Sequence, residues 1–218
     1  MTLALLSLAH STSFNDTAKA ALEEESGWED VGTMEREGIA VQGRHKVIEG
    51  VDCLEASAVT THDPEVMKAI ILDIRANTDW SSADLKVSDV LKESSTEIDY
   101  VQVLEVPAPF ADRYWFLRGV IAETEAMWQF SWAWIDGKTE YPDVYSKVVG
   151  EDLVEVDVNV GSWALLPVEG AGTQARFRSC TNVGGSIPKW AGEQAAKLML
   201  PNNIEDLFSE AQKRSATP

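Results

Sequence analysis

The stretch Asn182-Val183-Gly184-Gly185-Ser186-Ile187-Pro188-Lys189-Trp190 decides the fold, because it ends a strand and begins a helix. Before it, in Thr173–Asn182, Ala175, Phe177 and Ser179 alternate with Arg176, Arg178 and Cys180. That period of two marks an antiparallel sheet with one dry and one wet face. After it, a helix is predicted from about Ile187 to Arg214. Trp190, Ala191, Ala195, Leu198 and Met199 form an apolar stripe at helical spacing, which Ile204, Leu207, Phe208 and Ala211 resume. Pro201 lies inside this helix and should kink or break it, since its ring removes a donor and crowds the preceding turn.

Working back towards the N-terminus, Asp152–Val168 reads as one strand. Val154, Val156, Val158 and Val160 face one way, and Glu155, Asp157 and Asn159 the other. Gly137–Gly150 reads as a long loop. Strands are predicted near Leu85–Ser94, Thr96–Val106, Arg113–Ala122 and Glu125–Ile135, and earlier at Trp28–Thr33, Ile39–Lys46 and Cys53–Thr60. Glu37-Gly38 and Glu49-Gly50 suit tight turns between the first three. Between the two groups, Asp63-Pro64 opens a helix, with Asp63 as cap and Pro64 in the first turn. Met67, Ile70, Ile71 and Ile74 form its buried stripe. Thr17–Glu25 reads as the end of an N-terminal helix, stopped at Ser26-Gly27. The order predicts an α+β fold, a curved antiparallel sheet of about nine strands wrapped around the C-terminal helix. A strongly twisted sheet curls, and one helix cannot fill its concave face, so an internal apolar cavity is expected.

The 218 residues suit one domain, taken as residues 27–214 after an N-terminal segment of residues 1–26. Leu3–Ala9 is either the first helix of the domain or the core of a weak export signal, and no Lys or Arg precedes it. The corresponding compartments are the cytoplasm and the periplasm or exterior. The net charge of −18 repels phosphates, so nucleic acid is not an expected partner. His10, His45 and His62 lie in unrelated contexts, so neither a metal site nor a cofactor is expected. Cys53 and Cys180 both read as outward-facing.

Asn182–Trp190 resembles the motif that joins the last strand to the C-terminal helix in StAR-related lipid transfer (START) domains, within the helix-grip superfamily. Pro107-Ala108-Pro109-Phe110-Ala111-Asp112-Arg113-Tyr114-Trp115-Phe116-Leu117-Arg118 is similar to that family's proline-rich loop and the strand that follows. Asp112-Arg113 stands where the family usually has Arg-Asp. Gly27-Trp28 and Trp80 fall where the family places tryptophans. The likeness spans about residues 27–210. It implies a non-enzymatic carrier or sensor, a monomer holding one lipid, with transient membrane contact for exchange. A sterol is favoured, with a phospholipid or carotenoid as alternatives. The wider superfamily also includes polyketide cyclases and aromatases, the competing reading. The family's strand order would hold the third and last strands apart, so a Cys53–Cys180 bond is not expected.

Asp99 and Arg118 have the spacing of the acidic residue and arginine that face each other in the cavity of sterol-binding members. Arg118 shares its strand face with Tyr114 and Phe116, an environment that demands a carboxylate partner for a guanidinium. The same resemblance makes Leu198, Met199 and Leu207 ligand contacts and the loop bearing Phe110 a flap. Trp128, Phe130, Trp132 and Trp134 share one face and either line a pocket, with Trp132 the candidate contact, or pack beneath a helix.

Overall fold

Turn chemistry sets the first hairpins. Glu37 and Gly38 have φ of 45° and 82°, and Glu49 and Gly50 have 47° and 81°. Two successive positive φ values produce the tight turn whose twist matches the strands it joins. The computed structural model describes residues 15–170, 172–185 and 189–216, except for the side chains of 189–199. Helix α1 covers residues 15–23, followed by β1 (Glu29–Arg36), β2 (Ile39–Ile48) and β3 (Val51–Thr60). Asp63 then caps α2 (Pro64–Leu72), its side chain accepting from Glu65 N. A short 3-10 turn (Ile74–Ala76) and α3 (Asn77–Trp80) lead into β4 (Leu85–Glu93), β5 (Glu97–Leu104), β6 (Arg113–Glu123) and β7 (Trp128–Trp134). Next come α4 (Gly137–Glu140), α5 (Pro142–Val148), β8 (Val154–Glu155), β9 (Val158–Val168), β10 (Gly172–Asn182) and α6 (Lys189–Ala216).

The strands form one open sheet in the order β1-β2-β3-β10-β9-β7-β6-β5-β4, with β8 parallel to β6. Its concave face is apolar and aromatic. Trp128, Phe130, Trp132 and Trp134 lie there with Tyr100, Leu117 and Trp163, and Met67, Ile70 and Ile71 of α2 belong to the same core. The far half of α6 closes it with Leu200, Ile204, Leu207, Phe208 and Ala211. Two rings lie flat because the adjacent strand has no side chain beneath them. A Cβ at Gly119 would sit 2.2 Å from the Phe130 ring, and one at Gly161 2.4 Å from Trp132.

Several expectations need correction. The expected single strand Asp152–Val168 divides into β8 and β9, because β8 leaves to pair with β6. Ten strands result among the described residues. The expected loop after Gly137 contains α4 and α5, which cover the convex face of β5 and β6. Pro201 does not break α6, which runs on through it. The apolar residues that follow Pro201 are buried in the core, and this packing outweighs one missing donor. The first segments of the chain, including Leu3–Ala9, lie outside the described residues.

The largest correction concerns Cys53 and Cys180. β10 pairs with β3, and its register sets Cys180 opposite Cys53, with Cα atoms 4.2 Å apart and the sulfurs bonded. Neither residue faces water, nor does Arg178, because α1 covers this patch with Ala18 and Leu22. Beneath α1, the fully buried Glu55 accepts from Arg178 Nε at 2.6 Å and from Arg44 Nε at 2.6 Å. Arg178 also donates to Leu22 O and, at 2.7 Å, to Glu25. Partial burial pushes the Glu25 carboxyl up, but Arg178 and Arg44 prevail and hold it at about 2.

Alkylation under denaturing conditions should add no mass to the unreduced protein and label both cysteines after reduction. A free thiol in the unreduced sample would refute the bond. Gly119→Ala should destabilise the fold by about 1–3 kcal/mol in urea unfolding, since Phe130 must leave its position. Gly150→Ala, with open space around the new Cβ, is the control and should be near neutral.

Candidate functional site

Alternation places every side chain of β6 on one of two faces, and both are dry here. Leu117 and the partly buried Trp115 belong to the concave core, whereas Tyr114 and Phe116 belong to a separate convex cluster with Val101 and Val103. Tyr141, Val144 and Tyr145, from the α4–α5 segment, cover that cluster. Tyr145 stacks on Phe116 at 6.1 Å between ring centroids, and its hydroxyl lies 3.3 Å from that of Tyr114.

Asp99 and Arg118 do meet, directly opposite each other across β5 and β6. Arg118 donates from Nε and Nη2 to the two Asp99 oxygens, both at 2.8 Å, the bidentate geometry that a guanidinium favours. Asp99 is fully buried, while Arg118 is 33% exposed and also reaches Glu140 at 2.6 Å. The Tyr141 hydroxyl donates to Asp99 as well. Burial opposes the Asp99 carboxylate, but Arg118 and Tyr141 hold its pKa below the ordinary value. The pair therefore lies on the convex face beside Tyr114 and Phe116, away from α6, and fastens the α4–α5 segment to the sheet. The expected placement of these four residues beneath the C-terminal helix is corrected by this register.

Trp132 and Leu207 are on the concave side, both buried. Phe110 is half-buried in the 107–112 loop, where Pro107, Ala108 and Pro109 are exposed. The side chains of Leu198 and Met199 lie outside the described residues.

The structure adds two features at the end of the sheet where α6 begins. Arg113 is buried, and its guanidinium faces backbone carbonyls: Val183 O at 2.7 Å, Gly184 O at 3.1 Å, and Ala111 O. It thus ties the 107–112 loop to the segment entering α6. On the concave face nearby, Trp132 Nε1 donates to Asn159 Oδ1 at 3.1 Å, and Ser179 and Thr181 hydroxyls lie 2.9 Å apart. Trp134 Nε1 donates to Glu155 at 3.3 Å, and burial raises the Glu155 pKa. Reading Asp152–Val168 as one strand assigned Asn159 to a wet face. The parity of Trp163 and Leu165 was the signal for its true side. Among the described residues, no cluster of His, Cys, Asp and Glu side chains has the makings of a metal site.

Asp99→Asn should cost about 1.5–3 kcal/mol at neutral pH, the range for hydrogen bonds to charged groups. Because folding lowers the Asp99 pKa, its contribution is present above the ordinary carboxylate range and lost as pH falls through the folded value. Urea unfolding of both proteins across this range should therefore show their difference shrinking in acid. A difference independent of pH would contradict the assigned pair.

No family profile matches the chain, and no curated protein sequence does. Solved structures do. Human StAR-related lipid transfer protein 5 is 11% identical, with 96% of this chain and 98% of that one covered, at a TM-score of 0.73. The STAR-related lipid transfer protein of Xanthomonas axonopodis is 19% identical over 86% and 99%, at 0.70. The Zhui aromatase/cyclase from Streptomyces is 12% identical over 76% and 96%, at only 0.52. The concave sheet, its order of elements and the closing helix are those of the StAR-related lipid transfer domains, and this chain has their helix-grip fold.

Proposed function

We propose that the chain binds one lipid between the concave face and the first half of α6, and carries or senses it without chemical change. The observation that carries this reading is the aromatic wall of β7 and β9, which ends in polar groups beside the start of α6. An apolar site with a few convergent polar groups suits a ligand with one polar end. Likeness to proteins named for lipid transfer supports the same reading. Sterol, phospholipid and carotenoid all satisfy this broad description. The sterol preference loses its original basis, since Asp99 and Arg118 lie on the other face.

Entry requires the 107–112 loop and the start of α6 to separate, and Arg113 is the latch between them. Its carbonyl partners can turn to water when the latch opens, so opening leaves no carboxylate stranded. Lipid exchange occurs during transient membrane contact in this reading. The buried Cys53–Cys180 bond favours the periplasm or exterior over the reducing cytoplasm.

The second reading is a cyclase, favoured by the likeness to the aromatase/cyclase. Such chemistry needs an acid or base aimed at a bound carbonyl. Titration with fluorescent sterol and fluorescent phospholipid, and mass spectrometry of lipids extracted from purified protein, separate the two. A defined lipid saturating near one per chain is expected. Turnover of a polyketide by a lipid-free protein would favour the cyclase, and failure to bind any lipid class would overturn the carrier reading.

A further inference from the structure

We propose that Asn159, assisted by Thr181 and Ser179, anchors the polar end of the bound lipid, and that this anchor selects a neutral oxygen acceptor over an ionised headgroup. The proposal rests on the lipid-binding reading above and specifies its ligand.

One indole fixes the orientation of the Asn159 amide. An indole N–H can only donate, so the bond from Trp132 Nε1 fixes which end of the Asn159 amide faces it. Oδ1 is turned to Trp132, and Nδ2 with its two hydrogens is presented elsewhere. Among the described residues, no protein acceptor meets Nδ2. Asn159 is only 6% exposed, yet Nδ2 is not among the buried unpaired atoms, so it is a donor still open to water or to a ligand beside the aromatic wall. A ligand oxygen would satisfy it.

Thr181 lies directly opposite Asn159 in the β9–β10 pair, and alternation puts Ser179 on the same face. The Ser179 and Thr181 hydroxyls share one hydrogen between them at 2.9 Å, which leaves the other O–H available as a second donor. Amide and hydroxyl are both neutral. Arg113, at this end of the sheet, is turned to the carbonyls of Ala111, Val183 and Gly184. The carboxyl of Glu155 lies at the same end, held by Trp134. A phosphate or a free carboxylate would thus meet neutral donors and a nearby acid, with no guanidinium turned towards it. A sterol hydroxyl or a glyceride ester carbonyl requires only the donors.

The test uses Asn159→Asp, which keeps an oxygen for the Trp132 N–H and removes the amide hydrogens. Wild type and variant are incubated with dioleoyl phosphatidylcholine liposomes containing equal parts of cholesterol, dioleoylglycerol, dioleoyl phosphatidate and oleate. Each protein is repurified, its lipid is quantified by mass spectrometry, and its melting is recorded. Wild type should recover cholesterol or dioleoylglycerol, with each ionised or zwitterionic lipid below about a tenth of that amount. Asn159→Asp should recover about tenfold less neutral lipid, and Thr181→Val about threefold less, while both remain folded. If Asn159→Asp does not fold, Thr181→Val decides by the same comparison. Equal recovery by a folded variant, or a wild type that recovers chiefly phosphatidate, phosphatidylcholine or oleate, overturns the anchor and leaves lipid binding standing. A wild type that recovers no lipid overturns the lipid-binding reading, and the anchor with it.

Discussion

Glu55 and Arg178 face each other across the β3–β10 pair, 123 residues apart in sequence and both buried. Two residues along the same face, Cys53 and Cys180 are covalently joined. This seam unites the N-terminal hairpins with the rest of the sheet, because β3 brings β1 and β2 with it and β10 brings β9. Closing so long a loop carries a large entropic cost, and the two cross-strand links offset it from the convex side. A buried ion pair is not stabilising by itself, since both charges lose water. Here Glu55 also receives Arg44, and Arg178 also reaches Leu22 O and Glu25, so the desolvated groups are well satisfied. Trp28 adds a face for Arg178, whose guanidinium carbon lies 5.0 Å from the ring centroid.

What the seam achieves on the other face is a continuous concave wall. Leu54, Ala56 and Ala58 of β3 stand opposite Ser179, Phe177 and Ala175 of β10. Small residues on β3 leave room for the helix, while Phe177 tilts against Trp132 and Trp163 at 5.8 and 4.9 Å between centroids. Phe130 and Trp132 spread over Gly119 and Gly161 instead of standing upright. The far half of α6 and the stripe of α2 fill one end of the concavity. Polar side chains gather at the other end, where β10 runs into α6. Packing and polarity are thus segregated along one surface, as a ligand with one apolar body and one polar end requires.

Much of this was legible because local periods survive in any tertiary setting. Met67, Ile70 and Ile71 could hardly form anything but a helical stripe, with Asp63-Pro64 marking its start, and Ile74 joins the same core from the separate 3-10 turn after Asp73. The resemblance to sterol-binding START members singled out Asp99 and Arg118, and the structure sets these two opposite each other. Which face they occupied was not legible, because a period of two defines two faces without saying what covers each. Tyr114 and Phe116 suggested a buried side, and the convex side is also buried, under α4 and α5. The same limit concealed Arg178 and Cys180, since charge beside alternation normally signals water, and here α1 and Trp28 make that face dry. Strand order was a further gap. Alternation along β3 and β10 carries no information about their adjacency, so the cysteine pair could not be read from it.

The two ends of α6 differ in how its surroundings are fastened, and the difference follows from bond chemistry. At the seam, separation would part Arg178 from the buried Glu55, and breaking such a buried charge pair costs about 3–5 kcal/mol in comparable cases. At the junction, Arg113 binds carbonyls whose lost bonds water can replace, at a net of about 0.5–3 kcal/mol for each. Arg113 also carries its charge into a site that desolvates it, which lowers its pKa and weakens its preference for the closed state. The far half of α6 is held by apolar side chains that no water can replace. Opening in the proposed cycle is therefore least costly where the 107–112 loop meets the start of the helix. The anchor proposed at Asn159 lies at that same end, so in that cycle releasing the latch would expose the ligand's polar group to water before its apolar body.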